Sequence, residues 1–281
     1  MTVKRTFKDS VFRKRFNNKE KLIELYNALE GTGYPVDAEV EINTLHHAIY
    51  SGVKNDISFV INGEHNVFLE HQSSQPMNVP LKCLLYLGAT YTKAMDKKEL
   101  HRRIIRLPTP KFYVFYNGDQ SVPQEQILKL SDSFMGGCGE NTVELKVKMI
   151  NINYNESELL ERSPHLKDYA YFVHLVKLFK QTSGTLEEAV EKAIDVCINE
   201  NVMADFLKKN RQEVIGMSLL EGSFDEYLED VRMESRSEGM ALGAYEKAVK
   251  TAKNFIQMGV SIEKVSQGTG LSVKEVERLT G

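Results

Sequence analysis

Two acidic residues stand at matched distances from a turn. Asp56 opens the run ISFVI (57–61), Glu70 closes the run NVFLE, and Gly63 of the turn-forming pair Asn62-Gly63 lies seven residues from each. If the chain reverses at that pair, the two carboxylates arrive side by side on neighbouring strands. Glu70 and Gln72 are two residues apart and share a strand face, while His71 points to the other. Two carboxylates a few ångströms apart repel unless a cation lies between them. Oxygen-only ligands from Asp and Glu suit Mg²⁺ or Mn²⁺, which can activate a water and offset charge building on a phosphate. A plainer reading is open at this level: Asp56 caps a strand after Lys54-Asn55, and Glu70 ends an edge strand near solvent.

Other chemistry-bearing residues are less ordered. The seven histidines, among them His46, His47 and His71, have no zinc-ligand spacing with a cysteine and read as packing or surface residues. No G-x-x-x-x-G-K-[ST] occurs, which disfavours a nucleotide-driven motor. Met135-Gly-Gly-Cys-Gly139 lies between strand runs and reads as a loop, and the stripe Phe112, Tyr113, Phe115, Tyr116 reads as core. Asp9 is either a third acidic ligand or a helix N-cap before Ser10.

The elements that must position these residues follow from periodicity. Residues 8–29 read as two short helices, with Leu22, Ile23, Leu25, Tyr26 and Leu29 at helical spacing. EINTLHHAIY (41–50) is β-like, and the hairpin 57–72 follows. Pro80 opens a long apolar helix, and KFYVFYNG (111–118) is the strongest strand, closed by Asn117-Gly118. EQILKLS (125–131) and VELKVKMININ (143–153) add strands. Helix, three strands, helix, strand predicts an α/β fold with extra strands. Beyond residue 155 the pattern is helical, with Thr185-x-x-Glu188 as a capping box and Gly216, Gly222, Gly239 and Gly243 interrupting residues 204–258. The last segment reads as two short helices around Thr269-Gly270-Leu271, resembling a small helix-turn-helix. The expected division is a core over 1–155, a helical extension over 156–235 and a helical tail over 236–281. The C-terminal helices are the candidate surface for a homo-oligomer.

The formal charge of −3 conceals an uneven distribution: residues 1–180 carry +3 and residues 181–281 carry −6. Residues 1–21 are net +6, with Arg13, Lys14 and Arg15 at their centre, and residues 82–111 are again +6, with Arg102 and Arg103. Two such segments are candidate phosphate-facing surfaces for double-stranded DNA. No apolar run reaches the length of a membrane span, and the N-terminal residues lack the apolar stretch of a signal peptide. Cys83, Cys138 and Cys197 are odd in number and unpaired in spacing, as expected of reduced thiols in the cytoplasm.

The strings KDSVFRKRF, KNDISFVI, LEHQSSQ, MNVPLKCLLYLGATY and LPTPKFYVFYNG resemble the Rpn family of recombination-promoting, transposase-related nucleases, within the PD-(D/E)xK nuclease superfamily. The resemblance covers roughly residues 5–230. It implies a restriction-endonuclease-like αβββαβ core with a C-terminal helical region, and a Mg²⁺- or Mn²⁺-dependent DNA endonuclease of low sequence specificity. Asp56 and Glu70 match the family's metal ligands. Gln72 stands where many relatives carry Lys; its amide can position water or phosphate but brings no positive charge. Lys82, at the start of the next helix, is a candidate for the missing charge, or else an exposed first-turn lysine. Asn55 replaces the expected Pro. A non-catalytic DNA-binding or assembly protein retaining the nuclease fold is the alternative.

Overall fold

A computed structural model describes residues 7–44, 56–74, 78–95 and 98–279, with side chains at all of these except 99, 220–242 and 244. The pair His46-His47, the residues Lys54 and Asn55, and most of the β-like run 41–50 lie outside the described residues. The chain divides into two compact units, Met1–Glu221 and Gly222–Gly281.

The first unit opens with α1 (Phe7–Phe16) and α2 (Lys19–Glu30). The Asn18 side chain accepts the Lys21 N–H at 3.1 Å, and Gly31 ends α2 in the left-handed conformation (φ 67°). Six strands follow: β1 (Val40–Ile42), β2 (Ile57–Ile61), β3 (His65–Gln72), β4 (Thr109–Tyr116), β5 (Glu125–Lys129) and β6 (Lys146–Asn151). They form one mixed sheet in the order β1-β2-β3-β4-β6-β5. The β1–β2, β2–β3 and β5–β6 pairs are antiparallel, whereas β3–β4 and β4–β6 are parallel. The β3–β4 connection carries α3 (Val79–Ala94), with Pro80 in its first turn as expected.

Alternation along the central strands sorts the core into two layers. Val67, Leu69, Tyr113 and Phe115 join α1, α2, α5 (Pro164–Lys180) and α6 (Leu186–Asn199) in the larger cluster. Phe68, Phe112, Val114 and Tyr116 face Val79, Cys83 and Tyr86 of α3 in the other. The whole aromatic stripe is therefore core, split between the two faces. α4 (Glu158–Arg162), α5 and α6 are capped in turn by Ser157, Ser163 and Thr185, whose side chains accept N–H groups of the first turn.

α7 spans Ala204–Gln257 and passes through all four glycines expected to interrupt it. A helical glycine costs about 1 kcal/mol relative to Ala, which the surrounding Glu, Lys, Leu, Met and Ala residues tolerate. In the second unit, α8 (Ile262–Thr269) and α9 (Val273–Arg278) meet around Gly270 in the left-handed conformation, with a complete Ser272–Glu275 capping box. Ala252, Val265, Leu271 and Val276 form its small buried cluster.

Candidate active site

The hairpin turns where its sequence requires. Asn62 (φ 48°) and Gly63 (φ 66°) both adopt left-handed backbone, and Ile61 pairs with His65. That register pairs Ile57 with Leu69 and brings Asp56 opposite Glu70. The Asp56 N–H donates to Glu70 Oε1 at 3.3 Å, and the His71 N–H donates to Asp56 Oδ2 at 2.9 Å. Asp56 is 9% exposed and Glu70 5%. β3 is an interior strand flanked by β2 and β4, so the reading of Glu70 as the solvent-facing end of an edge strand is overturned.

Burial pushes the Glu70 carboxyl well above its ordinary range, and the neighbouring Asp56 pushes it further. The Asp56 N–H and the charge of Lys82 oppose the rise without cancelling it. Around Glu70 stand Cys83 and Tyr86 of α3, whose own pKa values rise through burial first and then through Glu70. Lys82 is exposed on the first turn of α3. Gln72 is half-buried at the end of β3, paired with Tyr116, and its carbonyl accepts the Asn117 N–H at 3.0 Å. The following turn is set by Gly118: a Cβ there would lie 2.3 Å from both the Ser73 carbonyl oxygen and the Tyr116 hydroxyl.

Asp56 also lines a cleft of about 300 Å³ with Ser10, Arg13, Lys14 and Asn17. Arg13 Nε donates to the Asp56 carbonyl at 2.9 Å, and Lys14 Nζ pairs with Glu213 at 2.6 Å on the cleft wall. Arg15 does not join them. It is 8% exposed, with Nη2 3.2 Å from His165 Nδ1 and 3.7 Å from Asp168, and its guanidinium lies over the Phe206 ring. The expectation of a DNA-facing Arg15 is corrected to an internal ion pair, because the helical rotation between Lys14 and Arg15 turns the latter inward.

Arg102 and Arg103 are exposed in the segment before β4. His65 pairs with Thr109 and Glu70 with Val114, so these arginines precede the strand end remote from the carboxylates. Five residues at about 3.3 Å each separate the two levels along β3. The second basic segment is therefore divided: Lys82 stands in the first turn of α3 and acts on Glu70, while Arg102 and Arg103 precede the other end of β4.

Asp9 fits neither sequence reading. It lies within the first turn of α1, past the cap, and its Oδ1 is 2.6 Å from His71 Nδ1. His71 is buried on the opposite sheet face from Glu70, with Nε2 3.0 Å from the Tyr169 hydroxyl. The role of Tyr169 was not legible beyond its place on the apolar face of α5.

Asp56 and Glu70 are oxygen donors, buried side by side, of the kind that could hold a hard divalent cation. Among the described residues no group of three or more His, Cys, Asp or Glu side chains gathers for a metal. No helix of the described residues is long and apolar enough to cross a membrane. No family model matches the chain, and neither a curated protein nor a solved structure matches it.

Proposed function

We propose that this chain is a divalent-metal-dependent DNA endonuclease of the Rpn type, with a restriction-endonuclease-like core formed by α1, β1–β3, α3 and β4. The observation carrying this reading is the antiparallel register that buries Asp56 against Glu70 and leaves Glu70 strained against ionisation. A buried carboxyl held in that state is poorly suited to structure alone and well suited to accepting a cation.

Asp56 and Glu70 would hold Mg²⁺ or Mn²⁺, which when bound lowers the pKa of a water and neutralises charge on the scissile phosphate. To do so Glu70 must give up its proton, so metal affinity rises with pH. Gln72, on the same strand face as Glu70, orients water or a phosphate oxygen through its amide. Lys82 projects its charge toward Glu70 from the head of α3. Arg13 and Lys14 offer cationic groups to the DNA backbone across the cleft beside Asp56, and phosphate contacts of that kind carry no sequence information. The free thiols fit a cytoplasmic setting.

A second reading, a non-catalytic DNA-binding or assembly protein, is favoured by Gln72 in place of Lys and by the acidic C-terminal third. Plasmid cleavage in Mg²⁺ by wild type, Asp56→Ala and Glu70→Ala separates the two. Loss of cutting in both variants supports the nuclease; equal cutting by all three removes these residues from any mechanism. Strand-transfer products would extend the reading to a transposase.

A further inference from the structure

His71 sits between Glu70 and Gln72 but points into the opposite layer, where two helices converge on its ring. Its side chain is fully buried, and that of Asp9 is 14% exposed. Asp9 reaches Nδ1 from α1 at 2.6 Å, and Tyr169 reaches Nε2 from α5 at 3.0 Å. The Tyr169 hydroxyl also lies 3.0 Å from the Lys8 carbonyl, so its single proton is shared between that oxygen and Nε2 and the chain of contacts returns to α1. Phe12 closes the site, with its ring 5.5 Å from both the His71 and Tyr169 rings. A carboxylate has no proton to give, so Nδ1 carries one and donates to Asp9. The ring is thus fixed at both nitrogens, and a buried polar chain is tolerated only when each member is satisfied in this way.

The backbone of the same residue makes the contact that matters on the other side. The His71 N–H donates to Asp56 Oδ2 at 2.9 Å. Clamping the imidazole between two helices fixes the β3 backbone at residue 71, and with it the donor that orients Asp56 toward Glu70. We propose that Asp9, His71 and Tyr169 are positioning residues, a buried relay behind the sheet that sets the orientation of the Asp56 carboxylate. The inference rests on the nuclease reading and adds three residues that touch neither metal nor DNA.

The test uses the full chain and three variants: Tyr169→Phe, which keeps the ring and removes the hydroxyl, Asp9→Ala, and Asp9→Asn, which keeps an acceptor for Nδ1–H. Mn²⁺ alone is titrated by calorimetry, plasmid cleavage is measured at saturating Mg²⁺, and amide hydrogen exchange is followed at His71. Tyr169→Phe and Asp9→Ala are expected to weaken Mn²⁺ binding about tenfold and to lower kcat similarly with KM for plasmid unchanged, while Asp9→Asn recovers most of both. The His71 amide should exchange faster in the two damaging variants while the remaining sheet amides keep their protection. Folded variants that bind Mn²⁺ and protect that amide as wild type does would overturn the relay and leave the nuclease standing. If Asp9→Ala does not fold, Tyr169→Phe decides. A wild type that neither binds Mn²⁺ nor cuts DNA brings down the nuclease reading and this inference with it.

Discussion

Two glutamates beside the central strand β4 meet opposite fates. Glu30, the last residue of α2, receives Lys111 Nζ at 2.7 Å and the Tyr113 hydroxyl, both from β4. Burial alone would raise its pKa, yet hydrogen bonds from Lys111 and Tyr113 bring it below the ordinary carboxylate value. Glu70, paired in register beside β4, is buried more deeply and faces another carboxylate, so its pKa moves the other way. The first carboxylate, at the end of α2, is compensated by a cation and a hydroxyl from β4, and the second, within β3, is only partly compensated by the Asp56 N–H and the charge of Lys82. The contrast lies in what surrounds each acid: donors and a cation around Glu30, a second carboxylate beside Glu70.

The comparison breaks hardest at the chemistry. Glu70→Ala should lower Mg²⁺-dependent plasmid cleavage by about 10³-fold, since several kcal/mol of charge stabilisation is removed; Glu30→Ala should leave the rate per folded molecule unchanged. A comparable loss in both would erase the distinction. Next in size is stability. Lys111→Met should destabilise the fold by about 1 kcal/mol, read from urea unfolding, because the Glu30 side chain, 25% exposed, loses its cation; the 33% exposure of Lys111 keeps the figure modest.

The pH dependence sharpens the contrast through its sign. A carboxyl whose folded pKa is raised contributes stability that is present below the ordinary value of 4.5 and lost as pH rises through the raised one. Glu70→Gln should therefore melt a few degrees above wild type in EDTA at neutral pH, with the gap closing toward pH 4. Glu30 behaves in reverse: its stabilisation is present above 4.5 and lost as pH falls through its lowered value. Saturating Mn²⁺ should raise the melting point of wild type and not of Glu70→Gln. The smallest effect concerns DNA. Lys14→Ala should reduce the salt dependence of DNA binding by about one phosphate contact, and Arg102→Ala should leave the affinity of short duplexes unchanged, since it precedes the remote end of β4.

Much of the scaffold was legible because local signals agreed with the tertiary result. Asn62-Gly63 placed the hairpin, Pro80 opened α3, and Thr185 capped α6. The carboxylate pair was legible for the same reason: hairpin register is arithmetic once the turn is known. What was hidden depends on which face a helix buries. Arg13, Lys14 and Arg15 are adjacent letters of one kind, yet only Arg15 falls on the face of α1 that buries Phe7, Val11, Phe12 and Phe16. Asp9 and Tyr169 lie 160 residues apart and meet at His71, a pairing no spacing rule reaches. The remote position of Arg102 and Arg103 follows from the parallel β3–β4 register, and strand order is not written in either strand.

In the sequence Gly118 is a turn signal; its neighbours in the fold give it another meaning. The backbone after β4 passes so close to Ser73 that a methyl group would displace either that carbonyl or the buried Tyr116 hydroxyl. Ser73 follows Gln72 directly, so the absent side chain acts as a spacer of zero thickness between two chain ends. In a library randomised at every position, 118 should tolerate glycine alone, and rare survivors should carry compensating changes at 73 or 116. A gap in the side-chain record thereby becomes a ruler for where the Gln72 amide can stand.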